Sequence, residues 1–113
     1  MQVVNFKEYG SRAVLDENFG VHWTYVGRQN KHYGLPESPL ANPYRESQYG
    51  REEAIATYRK YLWWKIQRRN PEVMIALQKL DEDSALVCWC APKPCHAEVI
   101  AKAWAYCKKE GLL

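Results

Sequence analysis

Three of the chain's four cysteines and one of its three histidines fall within LVCWCAPKPCHAEVIA, residues 86 to 101. As metal ligands, Cys88, Cys90, Cys95 and His96 would offer three thiolates and an imidazole, a set that zinc binds tetrahedrally. The spacing fits poorly, since structural zinc pairs leave two to four residues between cysteines, and Cys95 and His96 are neighbours that diverge on a helix. As a catalytic thiol, Cys95 stands at the first turn of a helix, where the dipole favours the thiolate and His96 or Arg28 adds to that. Against it, free cysteine is among the most buried residue types, and neither a Cys-His-Asn order nor a phosphatase-type Cys-x5-Arg loop is present. His96 suits a donor to ligand as well as a cap on its own helix. Glu98, one turn in, either contacts a ribose hydroxyl or faces solvent.

The elements that must position these residues are legible as pattern. QVVNF places Val3 and Val4 in a short β-prone segment, and VHWTYVGR, residues 21 to 28, runs β-branched and aromatic residues up to a Gly-Arg turn. Residues 29 to 50 have no apolar period and carry KHYGLPESP and Asn42-Pro43, which predicts a loop of roughly twenty residues, long enough to suggest a functional reason. GREEAIATYRKYLWWKIQRR is acidic at its start and basic at its end, as a helix dipole prefers, with Ala54, Ile55, Tyr58, Leu62 and Ile66 forming one apolar stripe. Trp63 and Trp64 cannot both lie in that stripe's centre, so at least one ring should reach a flanking surface or the long loop. Asn70-Pro71 opens a second helix with Val73, Leu77 and Leu80 inward, and DEDS ends it. SALVCWC alternates as a strand, and CHAEVIAKAWAYCKKEGLL carries Val99, Ile100, Ala103 and Cys107 at helical spacing before a Gly111 stop. The order β, β, α, α, β, α predicts a small single-domain α/β sandwich with a partly parallel short sheet flanked by helices, Rossmann-like, over residues 1 to 113.

A length of 113 residues fits one domain that buries a core without disulfides. No apolar run approaches the roughly 18 residues of a membrane span, and the start lacks the layout of a signal peptide, so the expected setting is soluble and cytoplasmic, with thiols reduced. The net charge of +3 is modest and its basic residues are interspersed with acidic ones. That pattern disfavours a stable nucleic-acid duplex as partner and favours a small phosphate-bearing ligand. Eight tyrosines and five tryptophans either fill the core or stack on flat ligands. His22 and His32 have no fixed partner, and Cys107 reads as core.

In open α/β sheets, ligands bind beyond the carboxyl ends of the strands, where helix N-termini offer unpaired N–H groups. Asn5, Arg28 and the turn from Cys90 to His96 would all stand at strand ends, and parallel strands would bring them to one crevice. Arg28 can bind two oxygens of a phosphate or carboxylate at once, or serve a surface ion pair.

These motifs together resemble the domain of unknown function 4326 family, small proteins of bacteria and their phages. The resemblance rests on VVN at Val3 to Asn5, YVGR at Tyr25 to Arg28, ANPY at Ala41 to Tyr44, REEAIATY at Arg51 to Tyr58 and LVCWCAPKPCH at Leu86 to His96. Ala41 and Tyr44 stand where that family usually shows Gly and Phe, and KHYGLPESPL extends the loop before them, which implies a loop altered in shape or specificity. The resemblance implies the elements rather than an activity.

Three functions compete. In the preferred one, the crevice binds a nucleotide-derived small molecule, with Arg28 and the amides at Cys95 and His96 on phosphate, and Tyr25 or Tyr44 stacked on a base. Asn5, Asn42, Arg51, Cys90 and Glu98 complete the expected ligand-binding set, and no cofactor is expected. A phage-encoded protein of this kind would sequester a host immune signalling nucleotide in the host cytoplasm. The second is an enzyme acting on a nucleotide or nucleoside, with Cys95 as nucleophile and His96 or Glu98 in proton transfer. The third is a zinc-stabilised interaction module, with zinc on Cys88, Cys90, Cys95 and His96 and exposed tryptophans on a partner. Adjacent tryptophans on one helix also suit a homodimer.

Overall fold

Ala85–Cys88 form a strand whose four residues are all buried, and the rest of the fold is arranged around it. A computed structural model describes residues 1–113. The central strand, β3, has β1 (Gln2–Asn5) on one side and β2 (Trp23–Tyr25) on the other, and both pairings are parallel. The partly parallel sheet expected from the sequence is thus parallel throughout. A parallel strand flanked on both sides and covered on both faces has no solvent-facing side, which is why ALVC reads as a continuous apolar run.

Alternation along β3 divides the core in two. Leu86 and Cys88 belong to a cluster with Tyr58, Leu62 and Ile66 of α4 (Arg51–Gln67), Val73 and Leu77 of α5 (Pro71–Gln78), and Val99 and Ile100 of α6 (His96–Lys109). Ala85 and Val87 belong to a smaller cluster with Val4, Phe6, Leu15 and Leu35. The molecule is a small α/β domain with helices on both faces of its sheet.

Two helices on the smaller face escape the sequence pattern: α1 (Phe6–Tyr9) and α2 (Arg12–Phe19). Ser11 caps α2 by accepting from the Val14 N–H at 3.2 Å, yet Leu15 is its only buried residue, so no apolar stripe announces it. The second strand is shorter than 21 to 28, because Gly20–His22 form a 3-10 turn and the strand ends at Tyr25.

The remaining helices follow expectation closely. Asn70 caps α5 through the Val73 N–H at 3.1 Å with Pro71 in the first turn, and Gly111 takes a positive φ beyond α6. Trp63 and Trp64 of α4 are 43% and 47% exposed, so both rings leave the stripe.

The segment from 29 to 50 is more structured than its composition suggests. Asn30 and Leu35 form an antiparallel bridge, α3 (Glu46–Tyr49) precedes α4, and Leu35 and Leu40 are buried. The Tyr58 hydroxyl donates to the Leu40 carbonyl at 2.7 Å, which fastens this segment to α4. No helix is long and apolar enough to cross a membrane.

Candidate functional site

Because all three strands run the same way, their carboxyl ends open on one side, and a cavity of about 270 Å³ lies there. The end of β2, the start of α4 and the turn after β3 wall it. Of the ten residues expected around a ligand, Tyr25, Arg28, Asn42, Tyr44, Arg51, Cys90, Cys95 and His96 line this cavity, whereas Asn5 and Glu98 do not.

Asn5 is instead a tie between elements. Its Nδ2 donates to the carbonyls of Trp89 at 3.2 Å and Ala91 at 2.8 Å, and its Oδ1 accepts from the Lys7 N–H at 2.9 Å, capping α1. It holds the turn that follows β3. Glu98 is exposed on α6 and lies outside the lining.

Two guanidinium groups give the cavity its charge. Arg28 Nε donates to the Asn42 carbonyl at 2.9 Å, and its Nη atoms make no hydrogen bond within the chain. Asn42 is itself fixed, with Nδ2 on the Ala54 carbonyl at 3.3 Å and Oδ1 accepting from the Tyr44 N–H at 2.8 Å. That turn sets the Tyr44 ring at the cavity wall. Arg51 donates to the Pro94 carbonyl at 2.9 Å and pairs with Glu46 at 3.1 Å. Glu46 answers one of the two cations and leaves the lining with a positive balance.

The floor is a hydrogen-bonded aromatic pair. Trp89 Nε1–H donates to the Tyr25 hydroxyl at 3.0 Å, and that hydroxyl donates to the Arg28 carbonyl at 2.5 Å. A Cβ at Gly27 would lie 2.6 Å from Tyr25 Cζ, so the ring requires glycine there. Burial pushes the Tyr25 phenol up, and it stays protonated.

At the start of α6, Cys95 is the N-cap, its Sγ accepting from the Ala97 N–H at 3.3 Å. The backbone N–H groups of Cys95 and His96 have no acceptor within the chain. A helix N-terminus thus presents free donors and a partial positive charge at the cavity. His96 Nε2 lies 2.6 Å from the Val26 carbonyl, which requires that nitrogen to carry the proton, and the ring packs edge-on against Tyr58. Burial lowers the His96 pKa, the Val26 carbonyl opposes this, and Arg28 lowers it further. His96 is a neutral imidazole latching α6 to the end of β2.

The three thiols shift one another's ionisation, in a direction that the helix dipole alone would not give. The neighbouring thiols of Cys88 and Cys90, together with burial, push the Cys95 pKa up. Cys90 is held down at about 6, first by the neighbouring Cys95 thiol and then, against burial, by the Arg51 guanidinium. The pull toward thiolate falls on Cys90, the more accessible sulfur, rather than on Cys95 at the helix start. No group of three or more His, Cys, Asp or Glu side chains is arranged to hold a metal ion, and His96 directs Nε2 to a carbonyl instead.

Sequence reasoning missed Glu46, Trp89, Gln29 and Asn30 in the lining. Glu46 had a signal in the acidic residue just before the Gly50 break and Arg51. Trp89 had one in strand alternation, which turns it from Cys88 and Cys90 toward the smaller face.

A model of the domain of unknown function 4326 family matches residues 15–105. The chain belongs to that family. No curated protein and no solved structure matches it. In this family 4326 protein every cavity-lining residue, from Tyr25 to His96, falls inside the matched stretch, while β1 and Asn5 precede it.

Proposed function

We propose that this family 4326 protein binds a phosphate-bearing, nucleotide-derived small molecule in the strand-end cavity. The observation that carries the reading is the convergence of unengaged donors on one cavity: the Arg28 Nη atoms and the free N–H groups at the start of α6. Phosphate accepts bidentate bonds from guanidinium and sits well at helix N-termini. Tyr44, held by the Asn42 turn, supplies a ring for a base, and Glu46 can accept from a sugar hydroxyl or a base N–H. A phage-encoded member would act by sequestering a host signalling nucleotide.

A panel of cyclic nucleotides and ADP-ribose-type compounds tests this by thermal shift. A ligand at a hundred times its Kd stabilises by about 2.7 kcal/mol, which raises Tm by on the order of 10 °C in a domain of this size. At least one compound is expected to do so, and Arg28→Ala is expected to abolish the shift. No response to any member overturns the reading.

A second reading, turnover of the bound nucleotide by nucleophilic attack, is favoured by Cys90 beside Arg51 rather than by Cys95. Product formation that survives Cys90→Ser unchanged would remove it.

A further inference from the structure

A second concavity, of about 500 Å³, lies between the middle of α4 and α6 and shares no lining residue with the strand-end cavity. Its floor is made of Leu62, Ile66 and Val99, side chains of the core stripe seen edge-on. Trp63 and Tyr106, each 43% exposed, stand over it with rings in edge-to-face contact at 5.3 Å. Arg59, Lys60 and Lys102 border it, no acidic residue lines it, and none of these three cations forms an ion pair within the chain.

We propose that this groove is a docking site for an amphipathic helix of a partner protein, with an apolar stripe flanked by aspartate or glutamate. A trough between two helices accepts a third helix that lays anchors at i, i+3 or i+4 and i+7 along it. Half-exposed Trp and Tyr are the side chains that most often carry such contacts. The charge of the border selects the sign of the partner, since acidic flanks would meet three unpaired cations. The same charge argues against a second copy on this face, because a two-fold contact would set Arg59, Lys60 and Lys102 against their own equivalents.

A displayed library of helix-forming peptides, selected against the full chain, tests the assignment. Enriched peptides should carry an apolar stripe with acidic flanks. Their binding should fall at least tenfold with Trp63→Ala and, separately, with Arg59→Glu combined with Lys102→Glu, in variants whose melting curves show the fold intact. Enrichment of neutral or basic helices, or of none that depends on Trp63, overturns the proposal. So does sedimentation of the free protein as a dimer that Trp63→Ala disperses, which would make a second copy the occupant. Trp63-dependent flotation with anionic phospholipid vesicles overturns it in favour of a membrane.

Discussion

At the residue scale, the position of a proton distinguishes the cysteines. Position on a helix pointed to Cys95, but a thiol's ionisation depends on which neighbours donate to it, and those neighbours meet only in the fold. Cys90 is lowered by the Cys95 thiol and the Arg51 guanidinium and is less buried than the other cysteines, so it should be the first thiol alkylated by iodoacetamide, with a rate profile centred at about pH 6. Arg51→Ala should move that midpoint upward, as mass-mapped labelling across pH would record. His96 carries a second prediction. Burial keeps it neutral in the folded protein, whereas the unfolded chain takes up a proton near the ordinary value of 6.5. Its contribution is therefore complete above pH 6.5 and is lost as pH falls from there through the lower folded value. Stability should decline between pH 7 and pH 5 more steeply than in His96→Gln, by at most about 1.4 kcal/mol per pH unit for one proton. Paired denaturant titrations at each pH would measure the difference. Eight of the seventeen lining residues were legible, from strand ends and from the polar segment before α4, whereas Asn5 stands outside the lining because its Nδ2 is taken up by backbone carbonyls, which no residue type reveals.

At the element scale, periodicity found α4, α5 and α6 because each buries a continuous stripe. It passed over α2 because one buried leucine is no stripe, and it made β2 too long because β-branched residues, Val21 and Val26, continue on either side of Trp23–Tyr25. The segment from 29 to 50 was read as loop, correctly in lacking regular strands, but its two buried leucines give it anchors in the core. One bond tests how far α4 organises it. Tyr58 is fully buried and its hydroxyl meets the Leu40 carbonyl, so Tyr58→Phe leaves that carbonyl without its donor in a closed environment. The expected cost is about 1–3 kcal/mol, seen as a lower denaturant midpoint with an unchanged slope. Because Asn42 and Tyr44 follow Leu40 directly, proteolysis within 29 to 45 should quicken in the same variant.

At the scale of the whole molecule, the turn that walls the cavity is held by a strand far from it in sequence. β1 pairs with β3 across more than eighty residues, and the bonds from Asn5 to Trp89 and Ala91 close that span at the turn carrying Cys90. Parallel pairing over such a separation forms only after most of the chain's entropy has been lost, so the site and the global fold should form together. Asn5→Ala separates this closure from direct contact with a ligand, since Asn5 lies outside the cavity. It removes the cap on α1 and both bonds to the turn, which should cost about 2–3 kcal/mol. Hydrogen exchange should then accelerate at the amides of Trp89 to Cys95, while amides of α4 change only by the global loss of stability. Equal acceleration in both regions would make Asn5 a general stabiliser with no particular hold on the turn.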